Sequence, residues 1–277
     1  MSRALDAVGF LSPELDGWTA TCRKTHAEWF AMLESINSAG MKALYDVARP
    51  VRRNTQQLIA SLLFGRALQS LQGSILLLER GMQADGRTLI RSATESTIAL
   101  GGIADGDGKQ AIEELTADAD KHRLRLMNAL MDDPESRAEL GEDAPEKFAA
   151  AKTEILTEHG DDGPRALNLE ALARRVKMLG IYNTIYRDFS GNGAHPTIAA
   201  LMHHVLYDNA KEITELTFEP RDNELPSTLS AACSVGLCAL EAVAQVFSHD
   251  ATHARVRELA DEWKGLCALD NSESGCV

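Results

Sequence analysis

The segment YRDFSGNGAHP, from Tyr186 to Pro196, combines residue types that could do chemistry. Arg187 precedes a glycine-broken turn, and His195 follows that turn directly before a proline. An arginine can stabilise negative charge on a phosphate or on a transition state, and a neutral imidazole can accept a proton near pH 7. Two interpretations follow: a catalytic Arg–His pair, or a polar contact that closes a helical bundle.

A second polar set lies in the segment GRTLIRSATES. Arg87, Arg91 and Glu95 are spaced four residues apart, so on a helix they form one polar stripe. Apolar residues cover the opposite side, and Ile98 lies beside the stripe, which indicates that protein covers both faces. One interpretation is a solvated face with an Arg–Glu pair. The other, which we expect, is that Arg91 and Glu95 are partly buried against a pocket or another polar segment.

We expect these two segments to meet. Glycines at 191 and 193 can turn the chain, and His195 would then be the N-cap of a helix that starts at Pro196. The positive end of that helix disfavours imidazolium, so His195 should be neutral unless an acid lies beside it. The alternative to a chemical role is that His195 caps its helix and contacts Glu95 or Asp188. The candidate binding residues are Arg87, Arg91, Glu95, Tyr186, Asp188, Ser190 and Asn192.

The elements that position these residues are predicted to be helices. Alanine, leucine, glutamate and arginine dominate, no strand alternation persists, and no repeat of 20–50 residues is present. We predict an all-α, multi-helix bundle with long antiparallel helices. The predicted helices span about 12–47, 58–78, 87–101, 110–131, 169–179, 182–190, 196–206, 227–248 and 252–266. Gly81 should end or bend the second of them, the pair Gly101–Gly102 should close the third, and a short extended piece is expected only within 217–226.

The charge is concentrated in one region. The net charge is −13, and residues 109–162 hold 15 acidic and 7 basic residues. We therefore predict a single helical domain over 1–277, with an acidic helical insertion at 109–164 and a disordered tail at 268–277. Lysine and arginine clusters for phosphates are missing, so extended binding to duplex DNA is not expected, although a small basic site elsewhere remains open.

Cysteines and hydropathy indicate the compartment. The five cysteines are odd in number and include no C-x-x-C pair, and no basic-then-apolar leader opens the chain. The apolar runs are a handful of residues long, far below the roughly 20 needed to cross a bilayer. We expect a cytoplasmic protein without a membrane partner.

Two further features bear on assembly and metals. The helix over 227–248 carries a face of small residues, which predicts tight packing within the bundle or a homodimer contact. His249 and His253 have a spacing that can hold a metal, but the sequence shows no third ligand. We predict no metal site, and no cofactor motif is present.

The two polar segments also carry a resemblance. The arginine–serine–x–x–glutamate helix with a late S-x-x-x-x-H segment resembles a bacterial all-helical family known only as a domain of unknown function. The matching residues are Arg91, Ser92, Glu95, Ser190 and His195, within about residues 56–210. The resemblance implies a helical fold and a polar centre, and it implies no reaction.

The order Arg187-Asp188…His195 is distantly similar to HEPN-type ribonucleases, which are helical and usually dimeric. That resemblance implies metal-independent RNA cleavage, with a histidine for acid–base work and an arginine for phosphorane charge. Seven residues separate Arg187 from His195, where that family has four to six. The leading hypothesis is a binding or regulatory module whose Arg/Glu/His centre is structural or holds a small anionic ligand. The alternatives are a HEPN-like RNase of stress or phage defence acting on single-stranded RNA, and a metal-dependent hydrolase using His249 and His253.

Overall fold

The structure is a computed structural model that describes residues 8–48, 54–160, 162–191, 197–202 and 204–274. It is an all-α, multi-helix bundle with one small antiparallel β-hairpin, which confirms the predicted fold class. The long helices are α2 (Ala27–Lys42), α3 (Thr55–Leu78), α4 (Gln83–Ala104), α5 (Lys109–Asp132), α7 (Ala144–His159), α12 (Leu225–Phe247) and α13 (Asp250–Ser274).

Shorter elements connect the long helices. The short helices are α1 (Asp16–Thr25), α6 (Pro134–Glu139), α8 (Leu169–Arg175), α9 (Leu179–Ile181), α10 (Arg187–Phe189) and α11 (Ile198–Met202). Two 3₁₀ turns (Gly9–Leu11, Pro13–Leu15), two π-helical turns (Ala43–Val47, Tyr182–Tyr186) and two strands, β1 (Val205–Tyr207) and β2 (Ile213–Leu216), complete the described elements.

The α3–α4 hairpin is the framework that carries the polar stripe. Asn54 caps α3 by accepting a hydrogen bond from the Gln57 N–H at 3.0 Å. The turn that follows needs glycine, as predicted, because Gly81 has φ +79° and a Cβ there would lie 2.5 Å from the Pro220 Cβ. Phe64 of α3 and Ile90 of α4 are fully buried, whereas Leu58, Leu62 and Leu76 of α3 are exposed.

Helix α12 lies in the middle of the core. Its small residues let neighbours approach: Ala232 and Cys233 are fully buried, and a Cβ on Gly236 would lie 2.7 Å from the Ile36 Cγ2. Tight packing within the bundle is therefore observed, and the homodimer stays a prediction. In the described part of the chain, α12 is the one helix that is long and apolar enough to cross a membrane, but 61% of its most apolar window is buried, which is equally typical of a core helix.

Several predicted helix boundaries are wrong. The helix expected over 12–47 breaks at His26 (φ −111°, ψ 34°), although Ser12 does cap its start by accepting from the Glu14 N–H. Helix α4 runs past its glycine pair to Ala104. A Cβ on Gly102 would lie 2.9 Å from the Leu172 Cδ1, so these glycines allow close helix packing and do not end the helix.

The segment expected to be helical over 196–206 is helical only to Met202. It continues as β1, which pairs antiparallel with β2 so that Val205 faces Leu216. The turn between the strands is fixed by Asp208, whose Oδ1 accepts hydrogen bonds from the N–H groups of Ala210 and Glu212, both at 2.9 Å. These hydrogen bonds in the turn outweigh the apolar spacing that predicted a longer helix. The two strands lie before residues 217–226, the range in which we expected an extended piece.

The acidic region contains α5, α6 and α7. Asp133 caps α6, accepting from the Ser136 N–H at 2.8 Å. The first turns of α5 pack against the main core through Ala111, Ile112 and Leu115. The division into one domain with an insertion stays a prediction. Helix α13 extends to Ser274, into the tail for which we expected disorder.

Candidate functional site

Arg91 joins α4 to the helical segment 179–191. Its Nε donates to the Ser190 Oγ at 2.8 Å, and its Nη2 donates to the Glu95 Oε1 at 2.9 Å and to the Tyr186 hydroxyl at 3.1 Å. The Arg91 side chain is 22% exposed. The partly buried arrangement is therefore the one observed, and the arginine is held by three protein partners.

A π-helical turn arranges the aromatic side of this contact. The rings of Tyr182 and Tyr186 stack with centroids 5.1 Å apart. The Arg91 Cζ lies 4.9 Å from the Tyr186 ring centroid, and the Arg187 Cζ lies 5.9 Å from that of Tyr182. The Ser190 Oγ donates to the Tyr186 carbonyl at 2.6 Å, so it accepts from Arg91. Such wide turns are often found at functional sites.

The chain returns to this contact at Thr197. Its Oγ1 donates to the Gly191 carbonyl at 2.8 Å and accepts from the Ala200 N–H at 3.1 Å. The predicted N-cap, His195, is therefore wrong: the hydroxyl three residues before Ala200 caps α11. Asn192 and His195 lie outside the described residues, so the predicted contact of the imidazole with Arg91 and Glu95 stays a prediction.

Arg187 and Asp188 are neighbours on α10, and both are exposed. No ion pair joins Arg187 to a residue in the described part of the chain. Arg91 and Arg187 therefore have different surroundings in the structure. Arg91 points into the contact between α4 and the 179–191 segment, whereas Arg187 faces the solvent.

Arg87 is the most buried of the predicted site residues that the structure describes, with 7% of its surface exposed. Its Nε and Nη2 donate to the Thr228 Oγ1 at 3.1 and 3.0 Å, and Nη2 also donates to the Glu224 Oε2 at 2.5 Å. Its Cζ lies 5.5 Å from the Phe189 ring centroid. Within the described ranges, Nη1 makes no hydrogen bond, so two N–H groups of a buried guanidinium have no protein acceptor there.

Arg87 lines a cavity of about 610 Å³ between α4, α10, α12 and α13. We call it the Arg87 cavity; other lining residues are Asp188, Phe189, Glu224, Ser234 and Trp263. The indole position is fixed because the Trp263 Nε1 donates to the Ser230 Oγ at 3.0 Å. The cavity therefore combines one buried cation, two carboxylates, hydroxyl groups and aromatic walls.

Sequence reasoning found Arg87 but missed its partners Glu224, Thr228 and Trp263. Glu224 and Thr228 lie 137 and 141 positions away from Arg87, and no motif links them to it. The one sequence feature that pointed to these partners is local: Glu224 and Thr228 are four residues apart, a spacing that places them on one face of a helix.

The predicted histidine pair does not converge on one point. The Nδ1 of His253 lies 3.0 Å from the Glu241 Oε1, while the Nδ1 of His249 contacts the Thr252 Oγ1 at 2.8 Å. A different group, Asp120, Glu158 and His159, offers ligand atoms within 4.8 Å of one another. There the His159 Nε2 lies 2.9 Å from the Asp120 Oδ2, a contact that ties α7 to α5.

The fold and these contacts define an all-helical protein with a buried arginine centre. The chain belongs to a family of unknown function (DUF5677), which matches residues 57–213, more than half of its length. This confirms the expected membership of an uncharacterised family. Comparisons with curated proteins and with solved structures found no match. The matched residues include Arg87 and Arg91, whereas Glu224 and Trp263 lie outside them.

Proposed function

We propose that the protein is a binding or regulatory module whose small ligand places an anionic group, a carboxylate or phosphate, against Arg87. The observation that carries the proposal is the pair of Nη1 N–H groups on a guanidinium that is nine-tenths buried beside the Arg87 cavity. Because Nη1 makes no hydrogen bond within the described ranges and its side chain lines the cavity, it can donate to an anionic oxygen placed there. Nη1 is the nitrogen available to the ligand, and a hydrogen bond from a guanidinium to a carboxylate or phosphate oxygen is of the strong, charge-assisted kind.

In this proposal Arg91 is a positioning residue. Its Nε and Nη2 donate to Ser190, Glu95 and Tyr186, and these hydrogen bonds hold its side chain in place. By holding the 179–191 segment against α4, it sets the positions of Asp188 and Phe189 on one wall of the Arg87 cavity. We further propose that the protein is cytoplasmic and acts on neither duplex DNA nor a membrane, as its acidic charge favours.

Titration with acetate and inorganic phosphate, followed by calorimetry and by the melting temperature, tests the proposal. We expect at least one of these anions to bind and to raise the melting temperature by mass action. Arg87→Gln should abolish the effect, and Arg187→Gln, on the exposed side of α10, is the matched control and should retain it. Because Arg87→Gln risks unfolding, Ser234→Leu provides a second variant that fills the cavity. Unchanged anion binding in Ser234→Leu would overturn the proposal.

A second candidate is a HEPN-like, metal-independent RNase that uses Arg187 and His195. What favours it is that Arg187 is exposed and has no ion pair with a described residue. In addition, the chain that leaves α10 at Gly191 is tied back to it by Thr197. An entering single-stranded RNA could reach an arginine placed in this way.

The RNase candidate is tested with single-stranded RNA in the presence of EDTA. If it holds, the purified protein cleaves RNA, and Arg187→Gln and His195→Ala each lower the rate by about 100-fold or more. Arg165→Gln, a change at an exposed arginine directly after the acidic region, should leave cleavage intact. Overexpression should also be toxic, and His195→Ala should remove the toxicity. Cleavage that survives Arg187→Gln would exclude this pair.

A further inference from the structure

We propose that two copies of this chain bind each other through the exposed apolar side chains of α11, of the β1–β2 hairpin and of Phe218. We call these side chains the hairpin surface, and the proposal is independent of the Arg87 cavity. The small residues of α12, which also predicted a contact between copies, lie inside the bundle, where Ala232 and Cys233 are fully buried. A contact between two copies therefore needs a different surface.

Helix α11 contributes an apolar stripe to the hairpin surface. Ile198, Leu201 and Met202 are spaced at three and four residues, so they share one face of the helix. Their exposed fractions are 74%, 50% and 38%. A helix of a folded protein usually turns such a face toward the core. Here the apolar face is open to solvent, which indicates that a partner covers it.

The hairpin continues this stripe. The Tyr207 hydroxyl donates to the Met202 Sδ at 3.9 Å, which joins β1 to α11. The exposed apolar residues of the two strands, each between 42% and 64% uncovered, are Leu206, Tyr207, Ile213 and Leu216. Phe218, just after β2, is 63% exposed. A two-stranded hairpin by itself is marginally stable in water, so packing on a further apolar surface would stabilise it.

The area of the hairpin surface fits a dimer. It contains eight large apolar side chains, with exposed fractions that average about one half. At roughly 200 Å² for a side chain of this size, they leave about 800 Å² of apolar surface uncovered. A monomeric protein rarely exposes a contiguous apolar patch of more than a few hundred Å². An interface of standard size covers about 800 Å² on each partner, so a second copy would cover the hairpin surface.

The hairpin favours a partner that packs on its faces over one that pairs with its free edge. Leu206 pairs with Glu215 and Tyr207 pairs with Ile213, so Thr214 is an extra residue and forms a β-bulge in β2. Bulges and charged side chains at a sheet edge oppose the addition of further strands. Open-ended strand pairing is therefore disfavoured, whereas the apolar faces stay available for a closed contact.

The charges beside the hairpin surface favour a second copy as the partner. Lys211, Glu212 and Glu215 are exposed, and none of them forms an ion pair with a residue that the structure describes. Charges of both signs therefore lie side by side on one hairpin. In a dimer with twofold symmetry, Lys211 of each copy can face an acid of the other copy, so the same contact forms twice. Such a surface is complementary to itself.

Light scattering after size-exclusion chromatography tests the proposal on the full chain. At about 100 μM we expect a mass of twice the 30.1 kDa of one chain. Leu216→Glu in the hairpin and Ile198→Glu on α11 should each raise the dissociation constant of the dimer about 100-fold or more, because each places a charge in an apolar contact. Leu62→Glu is the matched control and should stay dimeric, since Leu62 is 62% exposed on α3, outside the hairpin surface. Circular dichroism checks that the helices are intact in all three variants.

An exchange of charges tests whether the partner is a second copy. Lys211→Glu makes the three charged positions all acidic, and the double variant Glu212→Lys, Glu215→Lys makes them all basic. Each variant alone should dimerise about tenfold more weakly or worse. An equal mixture of the two should dimerise as tightly as the parent protein, because each acidic hairpin then meets a basic one.

Three results would overturn the proposal. A parent mass of 30.1 kDa would show that the hairpin surface is not a contact between copies and is left to a different partner. A dimer that survives both Leu216→Glu and Ile198→Glu would form through another surface. A mixture of the charge variants that dimerises no more tightly than its components would exclude a twofold contact at Lys211.

Discussion

The Nε of Arg91 donates to the Oγ of Ser190 at 2.8 Å, and the two residues are 99 positions apart in the chain. The Ser190 hydroxyl donates a hydrogen bond to the Tyr186 carbonyl at 2.6 Å, so toward Arg91 it acts as the acceptor. The direction of both hydrogen bonds is thereby fixed. One small side chain orients the guanidinium and ends the helical segment against α4.

Ser190→Ala should therefore destabilise the protein. The change leaves the Arg91 Nε without its acceptor, and hydrogen bonds to charged groups are worth about 1.5–3 kcal/mol; partial exposure places the expected loss near 1–2 kcal/mol. Urea unfolding measures it. Thr184→Ala is the matched control, because the Thr184 hydroxyl is exposed and bonds only to the Gly180 carbonyl of its own helix. Equal losses in both variants would contradict the role of Ser190.

Tyr186→Phe should cost about 0.5–1.5 kcal/mol, because it removes one of the two acceptors of the Arg91 Nη2 and keeps the ring that stacks on Tyr182. Tyr182→Phe keeps the same stack and removes a hydroxyl that makes no hydrogen bond in the described ranges, so it should be nearly neutral. Thermal unfolding of both variants distinguishes them. A neutral Tyr186→Phe would show that the Tyr186 hydroxyl does not contribute to holding Arg91.

The glycine pair of α4 gives a matched comparison. A Cβ on Gly102 would lie 2.9 Å from the Leu172 Cδ1 and 3.0 Å from the Ala111 Cβ, which has no rotamer to move. On Gly101 the two nearest atoms are the Cε and Sδ of Met178, a flexible side chain, and the Val176 Cγ2 is farther away at 3.3 Å. Gly102→Ala should destabilise by about 1–3 kcal/mol. Gly101→Ala should be close to neutral, because alanine's helix propensity, worth about 1 kcal/mol, offsets a small shift of Met178. The reverse order in denaturant unfolding would contradict this packing.

Acid should weaken the contact between α5 and α8. The Arg175 guanidinium donates to both carboxylate oxygens of Glu114 at 2.7 Å, and these hydrogen bonds lower the pKa of Glu114 below its ordinary value of 4.5. Because the pKa of Glu114 is lower in the folded than in the unfolded state, the ionised carboxylate stabilises the fold. This stabilisation is fully present above about pH 4.5 and is lost as the pH falls through the lowered pKa of the folded state. Glu114→Gln should flatten the loss of stability below pH 4.5, measured by urea unfolding across that range. Glu113→Gln, at an exposed neighbour, should keep the slope of the parent protein.

Buried thiols should resist alkylation. Burial raises the pKa of Cys22 and of Cys238 from 9.0 to about 11, so the reactive thiolate is about 100-fold less populated near neutral pH. Iodoacetamide at pH 7.5 should label both residues at least about 100-fold more slowly in the folded protein than in urea. Peptide mapping by mass spectrometry measures the two rates. Rapid labelling of Cys22 in the folded protein would contradict its burial within the core.

The helices and their main breaks could be predicted because they depend on local chemistry. Apolar spacing placed α3, and Gly81, with φ +79°, was recognisable as its end. The same local reasoning failed at Gly101–Gly102, since packing against Leu172 is a tertiary contact that no short window reveals. It failed again at β1, where the hydrogen bonds to Asp208 outweigh helical spacing.

The candidate site was predictable only in part for a related reason. The helical stripe of Arg87 and Arg91 follows from spacing, and the motif resemblance brought Ser190 into the same set. The Arg87 cavity also depends on Glu224 and Trp263, from helices that come more than 130 residues later and carry no recognisable signature. Their convergence is a property of the bundle's packing, which spacing along the chain does not encode.

The π-helical turn at Tyr182–Tyr186 sets the direction in which the side chains of the following helical residues point. An ordinary α-helix advances about 100° per residue, so losing a single residue from this turn would rotate every later side chain by about that angle. The backbone would stay helical and the composition almost the same, yet Ser190 would turn away from α4. A related protein that lacks one residue in this turn would therefore keep the same fold but place different side chains against Arg91. A one-residue gap at this turn in a sequence alignment would identify such a protein.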